Sequence, residues 1–318
     1  MNEERVNYIR FARSESLHHD VVDHSIDKIV ADSTADEIRT KLDSCQVFAT
    51  TCLGCSHPLL DMQSQAGRPF DICVVDEASQ ISLPTVLGPI SRSRRFILVG
   101  DHYQLPPITR YAVGNGEESP PSLFRLLSEA NPEAIVTLRT QYRMNDEILS
   151  LCNQIVYGFR MRTGSHAVAK RRMKLNNLSS LKKYNPYHQE WLNIAMSSDP
   201  SIVFYNTDRV PMYEQKNKGS KCNTEEAATV SIIVVSLILC GLLPSKVGVI
   251  SPYRTQVNFI RKAIKKQLAY VKQFFPSIIT DDFNEEIEVH TVDKFQGRDK
   301  ECIVFSSVKS NKRCSPGT

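Results

Sequence analysis

Ile72-Cys73-Val74-Val75-Asp76-Glu77-Ala78-Ser79 is an apolar run of strand length that ends in two adjacent carboxylates. Further on, Phe96-Ile97-Leu98-Val99-Gly100-Asp101-His102-Tyr103-Gln104-Leu105-Pro106-Pro107 repeats the arrangement with a glycine turn, another carboxylate and a neutral amide. Short continuous apolar runs bounded by turn formers predict buried strands. Strands ending in carboxylates are how a nucleotide-hydrolysing motor holds a metal, orients a water and senses a terminal phosphate, because charge developing there must meet groups already in place. An absence is equally informative: none of the 318 residues forms a Gly-x-x-x-x-Gly-Lys-Ser/Thr phosphate loop.

Outward from these runs, strand-length apolar segments recur at Val47 to Thr51, Ile202 to Tyr205, Val247 to Ile250 and Cys302 to Val308. Helix-period stretches lie between several of them. The clearest is Val257, Ile260, Ile264 and Leu268, whose opposite face carries Arg261, Lys262, Lys265 and Lys266. Strands alternating with helices imply βαβ units, mostly parallel sheets and an α/β fold. Ligands in such folds collect at the carboxyl ends of strands, where Asp76, Asp101 and Ser251 fall.

A hydrophobic fraction of 41% with 23% charged residues is ordinary for a soluble globular chain and excludes fibrous and disordered classes. The net charge of +4 is too small to predict a polyanion partner, so the distribution of charge has to decide. Nine scattered cysteines suit a reducing compartment. The longest apolar segment, Ala227 to Leu243, is broken by Thr229, Ser231, Ser236 and Gly241, and predicts a buried helix rather than a membrane span. Gly114 to Pro121 is a surface loop by composition. From Arg160 to Gln189 there is no acid, while eight Arg and Lys residues accumulate. That stretch is a solvated insertion, a nuclear-targeting patch or a polynucleotide contact, and Tyr184, Tyr187 and Trp191 beside it favour stacking on bases.

An Asp-Glu pair alone often only begins a turn. Here it stands in order with Gln104, with Gln141-Tyr142-Arg143-Met144, and with His290-Thr291-Val292-Asp293-Lys294-Phe295-Gln296-Gly297-Arg298-Asp299-Lys300. Arg143 offers a guanidinium fork that matches phosphate oxygens, and Tyr142 offers a ring able to stack on a base. These elements resemble motifs II, III, IV and V of superfamily 1B helicases of the nonsense-mediated-decay RNA helicase type. Val47-Phe48-Ala49-Thr50-Thr51-Cys52 resembles their motif Ic, and Ser251-Pro252-Tyr253-Arg254-Thr255-Gln256 resembles a segment of their second motor domain. The wording is closest to the helicase part of the eukaryotic DNA replication ATP-dependent helicase/nucleases, as in Asn206-Thr207-Asp208-Arg209-Val210-Pro211.

The resemblance implies two RecA-like parallel-sheet motor domains of the P-loop NTPase fold, using ATP and magnesium. Asp76 would hold magnesium through its water shell and Glu77 would orient and deprotonate the attacking water. Gln104 would read the γ-phosphate, Arg143 would be an arginine finger, Tyr142 would lie against adenine, and Gln296 and Gly297 would approach the nucleotide. Thr50, Thr51, Pro252, Tyr253, Arg254 and Thr291 match positions that touch the nucleic-acid backbone. Boundaries are expected at 1–144 for a first domain with motifs Ic, II and III, 145–200 for a basic connecting or inserted segment, and 201–318 for a second domain.

Departures matter as much. Besides the phosphate loop, motif VI is missing, and nothing resembles a nuclease domain or its iron–sulfur cysteines, so no iron–sulfur cluster is expected in this segment. Both domains are therefore expected to be truncated and the isolated chain inactive. The parent would be a 5′ to 3′ DNA helicase of replication and repair, acting on single-stranded or flapped DNA in the nucleus, with the mitochondrion as the other compartment and replication or repair proteins as partners. No membrane partner is expected. The alternatives are a non-catalytic nucleic-acid-binding module and an RNA helicase of the same superfamily.

Plainer readings cover the rest. Cys52 and Cys55 with His57 lack a fourth zinc ligand and read as structural. His102 reads as a loop histidine, and Asp101 either touches metal or caps its turn. Asn223-Thr224-Glu225-Glu226 is a helix N-cap with acids in the first turn. Gly219-Ser220-Lys221 has the wrong order for half a phosphate loop.

Overall fold

The computed structural model describes residues 6–12, 18–65, 69–108, 120–184, 190–197, 199–207, 210, 213–217, 220–280 and 282–310. All of the loop expected at Gly114 to Pro121 except its two prolines lies outside them, as do Tyr187, Asp208, Arg209, Pro211 and Gly219. The chain divides into two compact units, Met1–Val136 and Thr137–Thr318.

In the first unit, β1 (Tyr8–Phe11) pairs in parallel with β2 (Val47–Thr50), placing Ile9 opposite Phe48 and Phe11 opposite Thr50. The helix Ala35–Ser44 that leads into β2 starts with a capping box between Thr34 and Glu37. Its Leu42 joins Ile9, Phe11, Ile26, Ile29 and Leu60 in one small core. A second parallel pair, β3 (Phe70–Val75) and β4 (Ser93–Leu98), is linked through the helix Leu83–Ile90, whose Val86 packs with Val75 and Ala78.

The sequence predicted β3 and β4 to be buried strands, and that needs correction. In register, Ile72 stands beside Arg95 and Val74 beside Ile97. Ile72 is 54% exposed, Val74 62% and Ile97 52%. Among the described residues the two strands pair only with each other, and the apolar cover lies on the Val75 side.

In the second unit, β5 (Thr140–Gln141) pairs in parallel with β6 (Arg162–Thr163), and β7 (Gln215–Asn217) pairs in antiparallel with β8 (Ser220–Cys222). The main sheet is parallel, with β9 (Val247–Ser251) flanked by β10 (Glu288–Thr291) and β11 (Cys302–Phe305). Against it pack the helices Thr224–Leu239 and Arg254–Lys272, which together bury Val234, Val235, Leu237, Ile260, Ile264 and Leu268. Nearly the whole circumference of the Thr224 helix is covered, which explains its membrane-like composition. Among the described residues no helix is long and apolar enough to cross a membrane. Gly248 in the central strand is required by close approach, because a Cβ there would stand 2.4 Å from the Phe295 ring.

Two further expectations are corrected. Ile202 to Tyr205 is not a strand; among the described residues it pairs with no strand and runs as a loop, with Phe204 exposed and Tyr205 anchored by a 3.0 Å bond from its hydroxyl to the Trp191 carbonyl. Tyr184 and Trp191 do not stand out as base-stacking rings either. Both pack against the core of the second unit, together with the buried Leu181, Leu192 and Met196, and the helix Leu178–Tyr184 that carries Tyr184 lies against the Thr224 helix.

Candidate functional site

At the carboxyl end of the β3–β4 pair the ladder continues beyond both strands, with the Val99 amide donating to Val75 and the Ala78 amide to Val99, each at 2.8 Å. This brings the turn after Val75 against the turn after Val99. Glu77 adopts left-handed backbone at φ 51°, an uncommon conformation for a residue with a side chain. Gly100 has no room for one: a Cβ would meet the Ser79 amide nitrogen at 3.0 Å. Sequence-predicted Asp76, Glu77 and Gln104 thus share one sheet end.

Within it, Asp76 uses one oxygen, Oδ1, to accept the Glu77 amide at 2.9 Å, and Glu77 accepts a 2.8 Å bond from the Gln80 amide. Asp101 accepts the Tyr103 amide on Oδ1 at 3.0 Å and the Gln104 side-chain amide on Oδ2 at 3.1 Å. Its carboxylate therefore caps the turn and fixes Gln104. Asp76 and Glu77 are exposed, as carboxylates that meet a hydrated ion and a water must be.

Thr50 and Thr51 end β2. Thr51 Oγ1 accepts the Gly54 amide at 3.0 Å, and a Cβ on Gly54 would collide with Thr50 Oγ1 at 2.5 Å. The exposed pair of threonines is thereby held in a tight turn. Cys55 donates to the Cys52 carbonyl at 2.8 Å and receives Arg92 at 3.7 Å, while His57 packs edge-on to Phe11 at 5.1 Å. Among the described residues the only three metal-capable side chains gathered closely enough are the exposed His18, His19 and Asp20.

In the second unit the Gln141 side chain builds the turn that presents Tyr142 and Arg143. Its oxygen accepts the amides of Arg143 and Met144 at 2.8 and 2.7 Å, and its nitrogen donates to the Met144 carbonyl at 2.7 Å. The Tyr142 ring lies flat on Gly164, where a Cβ would stand 2.2 Å from it. Arg143 Nε is 4.0 Å from Asp299, and Arg171 donates to the Arg143 carbonyl at 3.5 Å. Arg172 is held by Glu147 at 2.6 Å. The acid-free segment therefore supplies structural anchors for the Arg143 turn as well as exposed charge, which spacing alone could not reveal.

Pro252, Tyr253 and Arg254 lie where β9 enters the helix Arg254–Lys272, and Thr291 ends the neighbouring β10. Ser251 and Thr291 are register partners there. Gln296 and Gly297 follow the turn Val292–Phe295, with Gly297 at φ 78°, a conformation that favours glycine. Glu288 on β10 is pushed up by burial, but hydrogen bonds from Lys300 and Arg298 outweigh this and hold its carboxyl below the ordinary range. His290 is pushed down from its ordinary value, first by burial and then by Arg298 and Arg261.

A buried network that sequence reading missed joins these ends. Gln256 accepts the Asn223 amide at 2.8 Å and donates to the Asn223 carbonyl at 3.0 Å and to Ser306 at 3.1 Å. Glu226 accepts Ser306 Oγ at 2.8 Å and the Val308 amide at 3.0 Å. Asn223 caps its helix as expected, through the Glu226 amide. The Glu226 carboxylate additionally fixes the chain leaving β11.

Comparison with known proteins shows the family. An AAA domain family matches residues 1–110, and a second AAA domain family matches residues 120–317. The DNA replication ATP-dependent helicase/nuclease of Arabidopsis thaliana is 36% identical over 97% of this chain and 21% of its own length. The same-named proteins of Mus musculus and Homo sapiens are 36% and 38% identical over 97% and 84% of the chain, and 28% and 24% of their lengths. The chain thus spans 21–28% of the length of these curated relatives. With parallel strand ends carrying the ordered motifs, and a family match over more than half the residues, the chain belongs to the AAA-domain, RecA-like helicases of superfamily 1B.

Proposed function

We propose that the chain is motor material of a DNA helicase that couples ATP hydrolysis to 5′ to 3′ translocation on single-stranded or flapped DNA. The parallel pairing of β3 with β4 carries this assignment, because it sets Asp76, Glu77 and Gln104 on adjoining turns at the carboxyl end of one sheet. The donor set fits a magnesium nucleotide: an exposed carboxylate with one oxygen outside its own turn, a second carboxylate beside it, and a fixed amide. Bound magnesium would neutralise phosphate charge there. Asp76 would hold the ion, Glu77 would orient and deprotonate the attacking water, and Gln104 would contact the γ-phosphate.

From the second unit, Arg143 is assigned the arginine-finger role, Tyr142 the adenine, and Gln296 and Gly297 the nucleotide. Thr50, Thr51, Pro252, Tyr253, Arg254 and Thr291 hold the DNA backbone without reading sequence. The names of the relatives, DNA replication ATP-dependent helicase/nucleases, support DNA over RNA; the nucleus as compartment and replication or repair proteins as partners are part of the same proposal. Having no phosphate loop among its 318 residues, the chain alone is inferred to be inactive as an ATPase.

A chimera tests the motor directly: the matching residues of the mouse relative are replaced by this chain and single-stranded-DNA-dependent ATP hydrolysis is measured. Turnover that disappears in Glu77→Gln is expected. A chimera that folds and binds DNA yet never hydrolyses ATP would favour the non-catalytic binding module instead.

A further inference from the structure

The helix Arg254–Lys272 carries six cations and no acid over its 19 residues. Its buried stripe of Val257, Ile260, Ile264 and Leu268 accounts for one face. Lys262, Lys265 and Lys266 stand on the exposed face, and none of them forms an ion pair among the described residues. Lys262 and Lys266, like Arg261 and Lys265, are four apart, a spacing at which like charges destabilise a helix. Helix stability therefore gives no reason for this pattern.

The row continues in a different chemistry. Tyr270 follows Lys266 by four residues, about 6 Å along the helix, and Phe274 stands in the turn just past the last helical residue, Lys272. Both rings are 54% exposed, and they meet edge to face at 5.3 Å, which leaves ring faces open to solvent. A further cation joins this end from elsewhere in the sequence. Lys183 of the acid-free segment sits over the Phe275 ring at 5.3 Å, on a helix tied to this one by Gln267 donating to the Tyr184 hydroxyl at 2.5 Å.

Unpaired ammonium groups running into exposed aromatic rings are what single strands need: cations track the phosphates, and rings stack on unpaired bases. We propose that Lys262, Lys265, Lys266, Tyr270, Phe274 and Lys183 form a second single-strand surface, which extends the strand path away from Arg254 along the outer face of the helix. It rests on the reading of single-stranded DNA as substrate and adds a surface that this reading does not contain. Lys262 lies about 12 Å along the helix from Arg254. An oligonucleotide of about three nucleotides held at Arg254 spans about 7 Å and stops short of Lys262, while a long one covers both.

The test is fluorescence anisotropy of the 318-residue chain with labelled oligothymidines of about 3 and about 30 nucleotides, across a salt series. The triple variant Lys262→Gln/Lys265→Gln/Lys266→Gln is expected to weaken the long oligonucleotide about tenfold and the short one little. Its log–log salt slope should fall by about 2, as loss of three phosphate contacts on a single strand requires. Tyr270→Ala/Phe274→Ala is expected to weaken the long oligonucleotide about fivefold or more without changing the slope. Arg254→Ala should weaken both lengths alike. If Arg254→Ala has no effect while the ridge variants do, the track fails and the ridge stands.

Unchanged long-oligonucleotide binding in both ridge variants, with melting temperatures intact, overturns the proposal. So does polyglutamate competing as well as oligothymidine of equal charge with no dependence on the two rings, since that describes an acidic protein segment.

Discussion

Ser251 and Thr291 are register partners at the carboxyl ends of β9 and β10, and both hydroxyls are buried with no hydrogen-bond partner among the described residues. A buried polar group left unsatisfied costs about 1–3 kcal/mol. Two at one strand end, next to Pro252 and Arg254, fit the proposed role of Thr291 at a nucleic-acid backbone only if this strand end opens enough to admit a phosphate oxygen. Replacing them by Ser251→Ala and Thr291→Val is expected to leave stability unchanged or raise it by about 1 kcal/mol, while weakening oligothymidine binding severalfold. Chemical denaturation and anisotropy read the two effects separately. A stability loss above about 1 kcal/mol would mean that the hydroxyls serve the fold instead.

Gly248 gives a purely structural counterpart. The missing side chain accommodates the Phe295 ring, which is itself buried one residue before Gln296. Gly248→Ala is expected to destabilise the chain by about 1–3 kcal/mol through overpacking. Phe295→Leu in the same chain should recover part of that loss. A double-mutant cycle with coupling below about 0.5 kcal/mol would show that the ring moves aside freely.

His290 introduces a pH dependence. Burial disfavours its charged form, and Arg298 and Arg261 add repulsion, with Lys294 on the same side and only Glu288 opposing. The folded protein therefore holds His290 neutral to lower pH than the unfolded chain does. Its contribution to stability is complete above the unfolded value of about 6.5 and is lost as pH falls through the lower folded value. His290→Gln is expected to flatten the decline in melting temperature on acidification below about pH 6.5. An identical slope in the variant would remove His290 as the cause.

What was legible from the chain follows from range. Asp76 and Glu77 were found because an apolar run and the turn that ends it are local, and the same holds for the Asn223 cap and the stripe on the Arg254 helix. Ile202 to Tyr205 has a strand's composition but, among the described residues, no neighbouring strand, and composition does not contain neighbours. Exposure of Ile72 and Val74 was invisible for the same reason. Gln141, Gly164 and Gln256 act through contacts made by the fold rather than by spacing. Their roles emerge only once the turn, the ring and the strand end are side by side.

Glu226 shows how such a contact is tested. Val308 is buried and held at φ 70°, a left-handed conformation unfavourable for a β-branched residue, and its amide is bound by both Glu226 oxygens at 3.2 and 3.0 Å. Glu226 also accepts Ser306 Oγ, which Gln256 in turn contacts, so one carboxylate ties the helix starting at Thr224 to the end of β11. Removing it leaves a buried amide unsatisfied and releases a strained turn, so the two effects partly offset each other. Glu226→Ala is therefore expected to cost about 1–3 kcal/mol and Glu226→Gln, which retains one acceptor, less. Amide hydrogen exchange separates local from global loss: protection at Val308 should fall in Glu226→Ala far more than in the core of the Thr224 helix. Equal losses at both places would make Glu226 a general determinant of folding, and Val308 would need another explanation for its backbone.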